Sequence, residues 1–219
     1  MRPRLKIDFV SDISCPWCAI GLNALELAMQ RIGDGLNVEL AFQPFELNPH
    51  MPAEGQDVLE HLAEKYGSTR EQMERNQEMI RARGEAVGFT FRMERRSRIY
   101  NTFDAHRLLH WAQLEGRQRA LQHALFKSYF TDGENPGDHA VLARLAQESG
   151  LDARRAADIL ASDEYAEETR RQERFYLDLG IHSVPAVIIN DRYLVSGGQP
   201  VEVFEQALRQ AAQAAVTAP

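Results

Sequence analysis

The chain has 219 residues, enough to bury a substantial core without disulfide staples, and it contains two cysteines. Its formal net charge of −7 at pH 7 argues against nucleic acid or an anionic membrane surface as the main partner, because both call for a dominantly basic surface. No apolar run has the length of a membrane span or the form of a secretory signal, so we expect a cytoplasmic protein.

The first fifty residues alternate between strand and helix patterns. Residues 5–9 alternate apolar with polar side chains, which is the period of a strand. Apolar residues at helical spacing follow from Cys15 to Gly33, with Pro16 at the first helical position, and alternation returns at residues 38–42. This order predicts a βαβ unit with the cysteines at the carboxyl end of its first strand.

From about residue 56 to residue 180, nearly every periodic segment is helical. Asp57 can cap the first of these helices, and two overlapping capping-box patterns begin at Ser68 and Thr69. Further helices are predicted at residues 101–115, 117–131, 138–149, 152–161 and 163–179. Because such a run cannot lie within a βαβ sheet, we predict a separate helical lobe.

The last forty residues return to α/β order. The segments VPAVIIN and YLVSGG are predicted strands, and Asn190 with Asp191 between them indicates a hairpin. A final helix is predicted after Pro200, with its apolar side facing a sheet.

The stretch SDISCPWCAIG, residues 11–21, contains both cysteines and allows three interpretations. A structural zinc site needs four ligands, and His106 with His110 is the remaining pair at ligand spacing, so we expect no metal. Inert core thiols are the second interpretation. Pro16 counts against it, because a helix start places the pair at an exposed end. The third interpretation is a redox dithiol.

Redox chemistry has a physical reason at this position. At a helix amino terminus, the sulfur of Cys15 lies where unpaired N–H groups point, which favours the thiolate. Cys15 is therefore the predicted nucleophile, and Cys18, one turn along the helix, is the predicted resolving thiol. Asp12 acts in the opposite direction, because a nearby carboxylate disfavours a thiolate.

Five ordered motifs carry a resemblance that runs nearly from end to end. They are SDISCPWCAIG, FELNP at residues 45–49, NTFDAHRL at 101–108, GIHSVPAVIIN at 180–190 and GGQP at 197–200. Together with the order of strands and helices, they resemble the FrnE-like branch of DsbA-family oxidoreductases in the thioredoxin superfamily.

This resemblance implies an α/β, thioredoxin-like fold with a large all-helical insertion. It assigns residues 1–49 and 163–219 to the thioredoxin-like domain and residues 50–162 to the helical insertion domain. It also implies that the bond between Val184 and Pro185 is cis and lies against the cysteine pair. There the backbone of Val184 would bind an extended substrate as an added strand.

The predicted substrate-binding residues surround the dithiol. They are Pro16, Trp17, Val184, Pro185, His106 and Gln199. Trp17 is expected to shape docking, because a large residue there cannot pack in the core and hold the thiols outward as well. His106 either faces the groove or is a core histidine. Ala19 and Gly198 depart from the family pattern, and we expect them to alter the shape of the groove rather than its chemistry.

The sequence thus predicts a thiol–disulfide oxidoreductase or isomerase acting on protein or small-molecule disulfides. No cofactor is expected, with glutathione left open as a redox partner, and the protein could be a monomer or a homodimer. One alternative is a glutathione-dependent enzyme of the kappa-class transferase or 2-hydroxychromene-2-carboxylate isomerase type, although those relatives carry serine where this chain has Cys15. Another is a non-catalytic, peptide-binding chaperone whose groove matters more than its thiols.

Overall fold

The secondary structure follows the predicted order in the computed structural model, which describes residues 3–217. The predicted thioredoxin-like domain begins at residue 1 and ends at residue 219, and its outermost residues, 1–2 and 218–219, lie outside the described residues. The strands are β1 (Arg4–Ser11), β2 (Asn37–Pro44), β3 (Gln56–Asp57), β4 (Arg98–Ile99), β5 (Ala186–Ile189) and β6 (Tyr193–Ser196). The helices are α1 (Pro16–Ile32), α2 (Val58–Tyr66), α3 (Arg70–Ala86), α4 (Phe103–Leu114), α5 (Gln118–Lys127), α6 (His139–Glu148), α7 (Ala153–Leu160), α8 (Ala166–Asp178) and α9 (Val201–Thr217).

A four-stranded mixed sheet in the order β2-β1-β5-β6 forms the centre of the fold. The pairing of β1 with β2 is parallel, which confirms the βαβ unit, and β1 with β5 and β5 with β6 are antiparallel. The predicted hairpin is confirmed as well. Its turn holds Asn190 and Asp191 at φ values of 53° and 54°, a left-handed conformation that these two residue types tolerate best after glycine.

The alternation along β1 explains how helices cover both faces of the sheet. Leu5, Ile7 and Phe9 are fully buried on the face where α1 and α9 pack. Val10 points the other way and belongs to a second buried cluster with Tyr176 of α8. Helices therefore lie on both sides of the sheet, and the α/β, thioredoxin-like fold is confirmed. The expectation that the insertion is all helical is wrong, because β3 and β4 pair as a two-stranded antiparallel sheet within it.

The inserted helices share the core of the sheet. One buried apolar cluster runs from Phe9 on the sheet through Phe126 of α5 to Ile159 of α7. The side-chain amide of Gln118 also pairs with β2, donating to the carbonyl of Phe42 and accepting from its N–H, each over 2.9 Å. The apolar core is therefore continuous between the two regions, and the division at residues 50 and 162 stays a prediction.

Candidate active site

The two cysteines lie at the amino-terminal end of α1, as predicted. Cys15 occupies the N-cap position, Pro16 is the first helical residue, and the N–H of Cys18 donates to the carbonyl of Cys15 over 3.0 Å. Both are free thiols. The cap position places Cys15 at the positively polarised end of the helix, and its sulfur makes no capping hydrogen bond with the N–H groups there.

The thiols are not exposed, and the expectation that Pro16 would place the pair at an exposed helix end is wrong. The relative solvent exposure of Cys15 is 4%, and Cys18 is fully buried. Segments distant in the sequence cover this helix end, because Arg96 donates to the carbonyl of Ser14 and Val184 contacts the sulfur of Cys15. Cys15 nevertheless borders a large cleft, so its sulfur lies at the wall of a pocket.

The pKa of Cys18 is raised well above that of an ordinary thiol. Burial is the main cause, and the hydrogen bond to Cys15 and the charge of Cys15 add to it. The folded protein therefore favours the protonated thiol of Cys18.

The loop before β5 lies directly against Cys15. The bond between Val184 and Pro185 is cis, as predicted, and the Sγ of Cys15 donates to the carbonyl oxygen of Val184 over 3.6 Å. Gly21 of α1 makes room for this loop, since a Cβ there would stand 3.1 Å from the Cγ of Pro185. When Cys15 loses its proton, the carbonyl of Val184 loses this donor and can accept from another group.

A cleft of about 790 Å³ extends from Cys15 between the sheet and the inserted helices. One wall consists of Ser14 to Trp17 and of His182 to Val184. Residues of α2 and α3 also line the cleft, including Leu62, Tyr66 and Ile80. Of the predicted substrate-binding residues, Pro16, Trp17 and Val184 line this cleft, whereas Pro185, His106 and Gln199 do not.

Trp17 and its neighbours form the edge of the cleft. Trp17 is half-buried against the core, and the guanidinium of Arg83 lies 5.8 Å from the centre of its ring. Gly198 fits closely beside it, because a Cβ there would stand 2.9 Å from the carbonyl oxygen of Trp17. The amide of Gln199 donates to the carbonyl of Ser196 over 2.7 Å. Ala19 is fully buried in the core, so the expectation that it shapes the groove is wrong.

Asp12 and His106 lie behind the wall of the cleft. Asp12 is fully buried and accepts from the N–H of Ser14 over 3.0 Å and from that of Leu47 over 2.6 Å. The Nε2 of His106 lies 3.1 Å from the carbonyl of Phe45 and 3.9 Å from the Asp12 carboxylate. Burial lowers the pKa of His106. This histidine is therefore a core residue that supports the segment after β2, which is the second of the two interpretations given above.

Glu46 is a site residue that the sequence patterns did not single out. It lines the cleft and contacts Arg170, which also donates to Glu173 over 2.8 Å. Burial, with repulsion from Glu173, raises the pKa of Glu46 from an ordinary 4.5 to about 7. The FELNP motif contains this carboxylate, but its partners lie on α8, more than 120 residues away in the sequence.

A thioredoxin-like sheet with a C-P-x-C helix beside a cis-proline defines a class of thiol–disulfide oxidoreductases. The chain belongs to the DSBA-like thioredoxin domain family, whose profile matches residues 6–209. A probable DsbA oxidoreductase from Streptomyces coelicolor is 38% identical, with 94% of this chain and 89% of that one covered and a TM-score of 0.88.

Two further comparisons cover nearly the whole chain. The protein YwbO of Bacillus subtilis is 28% identical over 205 residues, which are 93% of this chain and 96% of YwbO. The fold also matches the cytosolic disulfide reductase DsbM of Pseudomonas aeruginosa, solved with GSH, at 18% identity and a TM-score of 0.63, over 95% of this chain and 99% of that one. Among residues 3–217, no helix is long and apolar enough to cross a bilayer.

Proposed function

We propose that the protein is a thiol–disulfide oxidoreductase in which Cys15 is the nucleophile and Cys18 the resolving thiol. The Cys15 thiolate attacks one sulfur of a substrate disulfide and forms a mixed disulfide, and the other substrate sulfur leaves as a thiolate. Cys18 then gives up its proton, attacks the sulfur of Cys15 and releases the second substrate thiol. The protein ends with a disulfide, and two electrons have passed to the substrate.

The observation that carries this proposal is the position of Cys15. Its sulfur is at the amino terminus of α1, at the wall of the cleft and 3.6 Å from the carbonyl of Val184, while Cys18 lies one turn behind it. Attack and resolution need this geometry. A peptide-binding groove without redox chemistry would not require the second thiol.

The proposal extends to the direction of exchange, the partners and the compartment. Reduction, oxidation and isomerisation are separated by small free-energy differences, about 1.4 kcal/mol for 30 mV, so the direction depends on the reduction potential of the pair. We propose a cytoplasmic enzyme of the FrnE-like branch that needs no cofactor and exchanges with glutathione or another thiol. The cytosolic location of DsbM supports the compartment.

Substrate binding is assigned to the residues beside Cys15. Trp17 and Val184 line the cleft, so the indole can pack on a bound chain and the Val184 backbone can pair with it. Pro16 contributes to the same wall. The proposed roles of Pro185 and Gln199 are indirect. Pro185 positions Val184, and Gln199 donates to the carbonyl of Ser196 at the end of β6.

Trapping of the mixed disulfide tests the mechanism. In a Cys18→Ser variant, the first step is possible but resolution is not, so disulfide-linked adducts should accumulate on Cys15. They would be measured by non-reducing electrophoresis and mass spectrometry, and a reductant should release them. The Cys15→Ser variant is the matched control, and it should form few adducts because Cys18 is fully buried.

The double variant with serine at both positions separates the alternatives. Loss of disulfide reduction together with the adducts supports the oxidoreductase. Full retention of activity in the double variant would point to a peptide-binding chaperone, and retained conjugation or isomerisation with glutathione would point to a transferase or isomerase.

A further inference from the structure

Building on the proposed oxidoreductase function, we propose that the cleft selects low-molecular-weight disulfides that carry carboxylate groups, with Lys65 and Arg96 as the specificity-determining residues. The cleft and the reactive sulfur are those of the proposed enzyme. What is added is the class of substrate and the two side chains that select it.

Access to the sulfur favours a small substrate. Cys15 keeps 4% of its exposure, and the cleft of about 790 Å³ lies within the usual range for small-molecule sites. The covering segments leave little room for the rigid surface of a folded protein to reach the sulfur. A small, flexible disulfide can enter the cleft and present one sulfur to Cys15.

Arg96 is a cation in the cleft wall that has no anionic partner among the described residues. Its Nε donates to the hydroxyl of Tyr129 over 2.9 Å, its Nη2 donates to the carbonyl of Ser14 over 3.3 Å, and its guanidinium lies 5.0 Å from the centre of the Tyr129 ring. Among residues 3–217, no carboxylate lies within 4.0 Å of this guanidinium. Its charge is therefore available to the cleft, next to the residue that precedes Cys15.

Lys65 of α2 supplies the second cation of the cleft lining. Its Nζ donates to the carbonyl of Leu47 and to the Oδ1 of Asn48, each over 2.7 Å, and both acceptors are neutral. The side chain of Lys65 is exposed and lines the cleft, so a ligand can reach it. The two cations thus contribute to the walls of one cleft, although the chain as a whole carries a net charge of −7.

Two carboxylates near the cleft would repel an anionic ligand, but both are already engaged by other groups of the protein. Glu46 lines the cleft but is held by Arg170, and its pKa of about 7 leaves it partly protonated at neutral pH. Asp12 is fully buried behind the wall and accepts two backbone N–H groups. A ligand in the cleft can therefore contact the charges of Lys65 and Arg96 more directly than those of the two carboxylates. The accessible charge is positive, which favours an anionic ligand.

Single-turnover oxidation of the reduced protein tests the charge preference. Three small disulfides serve as probes: anionic glutathione disulfide, neutral hydroxyethyl disulfide and cationic cystamine. Each rate is divided by that of the same disulfide with free dithiothreitol, so that intrinsic reactivity cancels. We expect a preference of about tenfold for the anionic over the cationic probe, and we expect added salt to weaken it.

Charge-neutralising variants assign the preference to the two residues. Lys65→Gln and Arg96→Gln should each reduce it by about threefold, whereas Arg96→Lys, which keeps the charge, should retain most of it. The control is Arg209→Gln on α9, because Arg209 is exposed, pairs with Glu205 and lies outside the cleft. It should behave like the wild type. Because Lys65 is at the surface, its variant gives an answer even where substitution of Arg96 disturbs the packing on Tyr129.

The outcomes separate this inference from the proposed function. If none of the three probes oxidises the cysteine pair while Cys18→Ser still traps adducts on Cys15, the oxidoreductase stands and the inference is overturned; if the adducts are absent as well, the oxidoreductase proposal itself fails. If all three react but their normalised rates are equal, or the preference persists in both glutamine variants, the oxidoreductase stands and the inference is overturned.

Discussion

Cys15 and Cys18 share one helical turn but differ in their surroundings. Cys15 caps the helix and borders the cleft, whereas Cys18 is enclosed in the core, where burial raises its pKa. A thiol that stays protonated does not compete as a nucleophile, so position supports the proposed division of roles. In the proposed mechanism, the contribution of Cys15 to the pKa of Cys18 couples the two steps, because that contribution ends when the mixed disulfide forms.

Alkylation of single-cysteine variants tests this asymmetry. Cys15 in Cys18→Ser should react with iodoacetamide at pH 7 about tenfold faster than Cys18 in Cys15→Ser, because burial still raises the pKa of Cys18 after Cys15 is removed. Mass spectrometry against time gives both rates. The same pair in urea is the control, where the rates should converge. Equal rates in the folded proteins would contradict the assignment of nucleophile and resolving thiol.

At the scale of elements, helix starts could be predicted because capping is local chemistry. Asp57 accepts from the N–H groups of Leu59 and Glu60, and Thr69 rather than Ser68 forms the capping box with Gln72. What the helices cover could not be predicted in the same way. The apolar periodicity of α2 predicts that the helix has an apolar side. It does not predict that this side borders the cleft, because that depends on how the helix packs in three dimensions. For the same reason, the pattern around Pro16 did not show that other segments bury the thiols.

The contact of α1 with the cis-proline loop gives a prediction at this scale. In Gly21→Ala, the gain in helix propensity of up to about 1 kcal/mol is opposed by a methyl group 3.1 Å from the Cγ of Pro185. We expect little net change in the free energy of unfolding, but a several-fold change in the alkylation rate of Cys15, because the displaced loop carries Val184. Urea unfolding and iodoacetamide labelling measure the two effects.

The control for this substitution is Gln30→Ala, an exposed change in the same helix that is remote from the loop. It should leave the rate of Cys15 unchanged. If Gly21→Ala labels at the rate of the wild type, the loop does not control the reactivity of the sulfur.

At the scale of the whole molecule, the topology could be predicted and the electrostatics of the cleft could not. Local patterns were enough for the βαβ unit, the hairpin and the place of the cysteines, whereas the cis bond was an implication of the family resemblance. Glu46, Lys65 and Arg96 come together through contacts between separate segments. The net charge of −7 did not predict the two cations either, although both line the cleft.

The cluster of Glu46, Arg170 and Glu173 links the cleft to the stability of the whole chain. The folded state holds the proton of Glu46 up to about pH 7, whereas the unfolded chain releases it near 4.5. The folded state therefore binds more protons across this window, and the contribution of Glu46 to stability is full below pH 4.5 and is lost as the pH rises through 7. Its size should be about 2 kcal/mol, below the full value for the shift because water in the cleft screens the carboxylate.

The substitution Glu46→Gln removes this titration and leaves Glu173 as a partner for Arg170. The free energy of unfolding of the wild type should therefore decrease by about 2 kcal/mol relative to the variant between pH 4.5 and pH 8, measured by urea unfolding at several pH values. Glu78→Gln, which removes an exposed carboxylate on α3, is the control, and it should follow the wild type. Parallel curves for the wild type and Glu46→Gln would show that Glu46 has the same pKa in the folded and unfolded chains. Glu46 would then carry a full negative charge in the cleft at neutral pH.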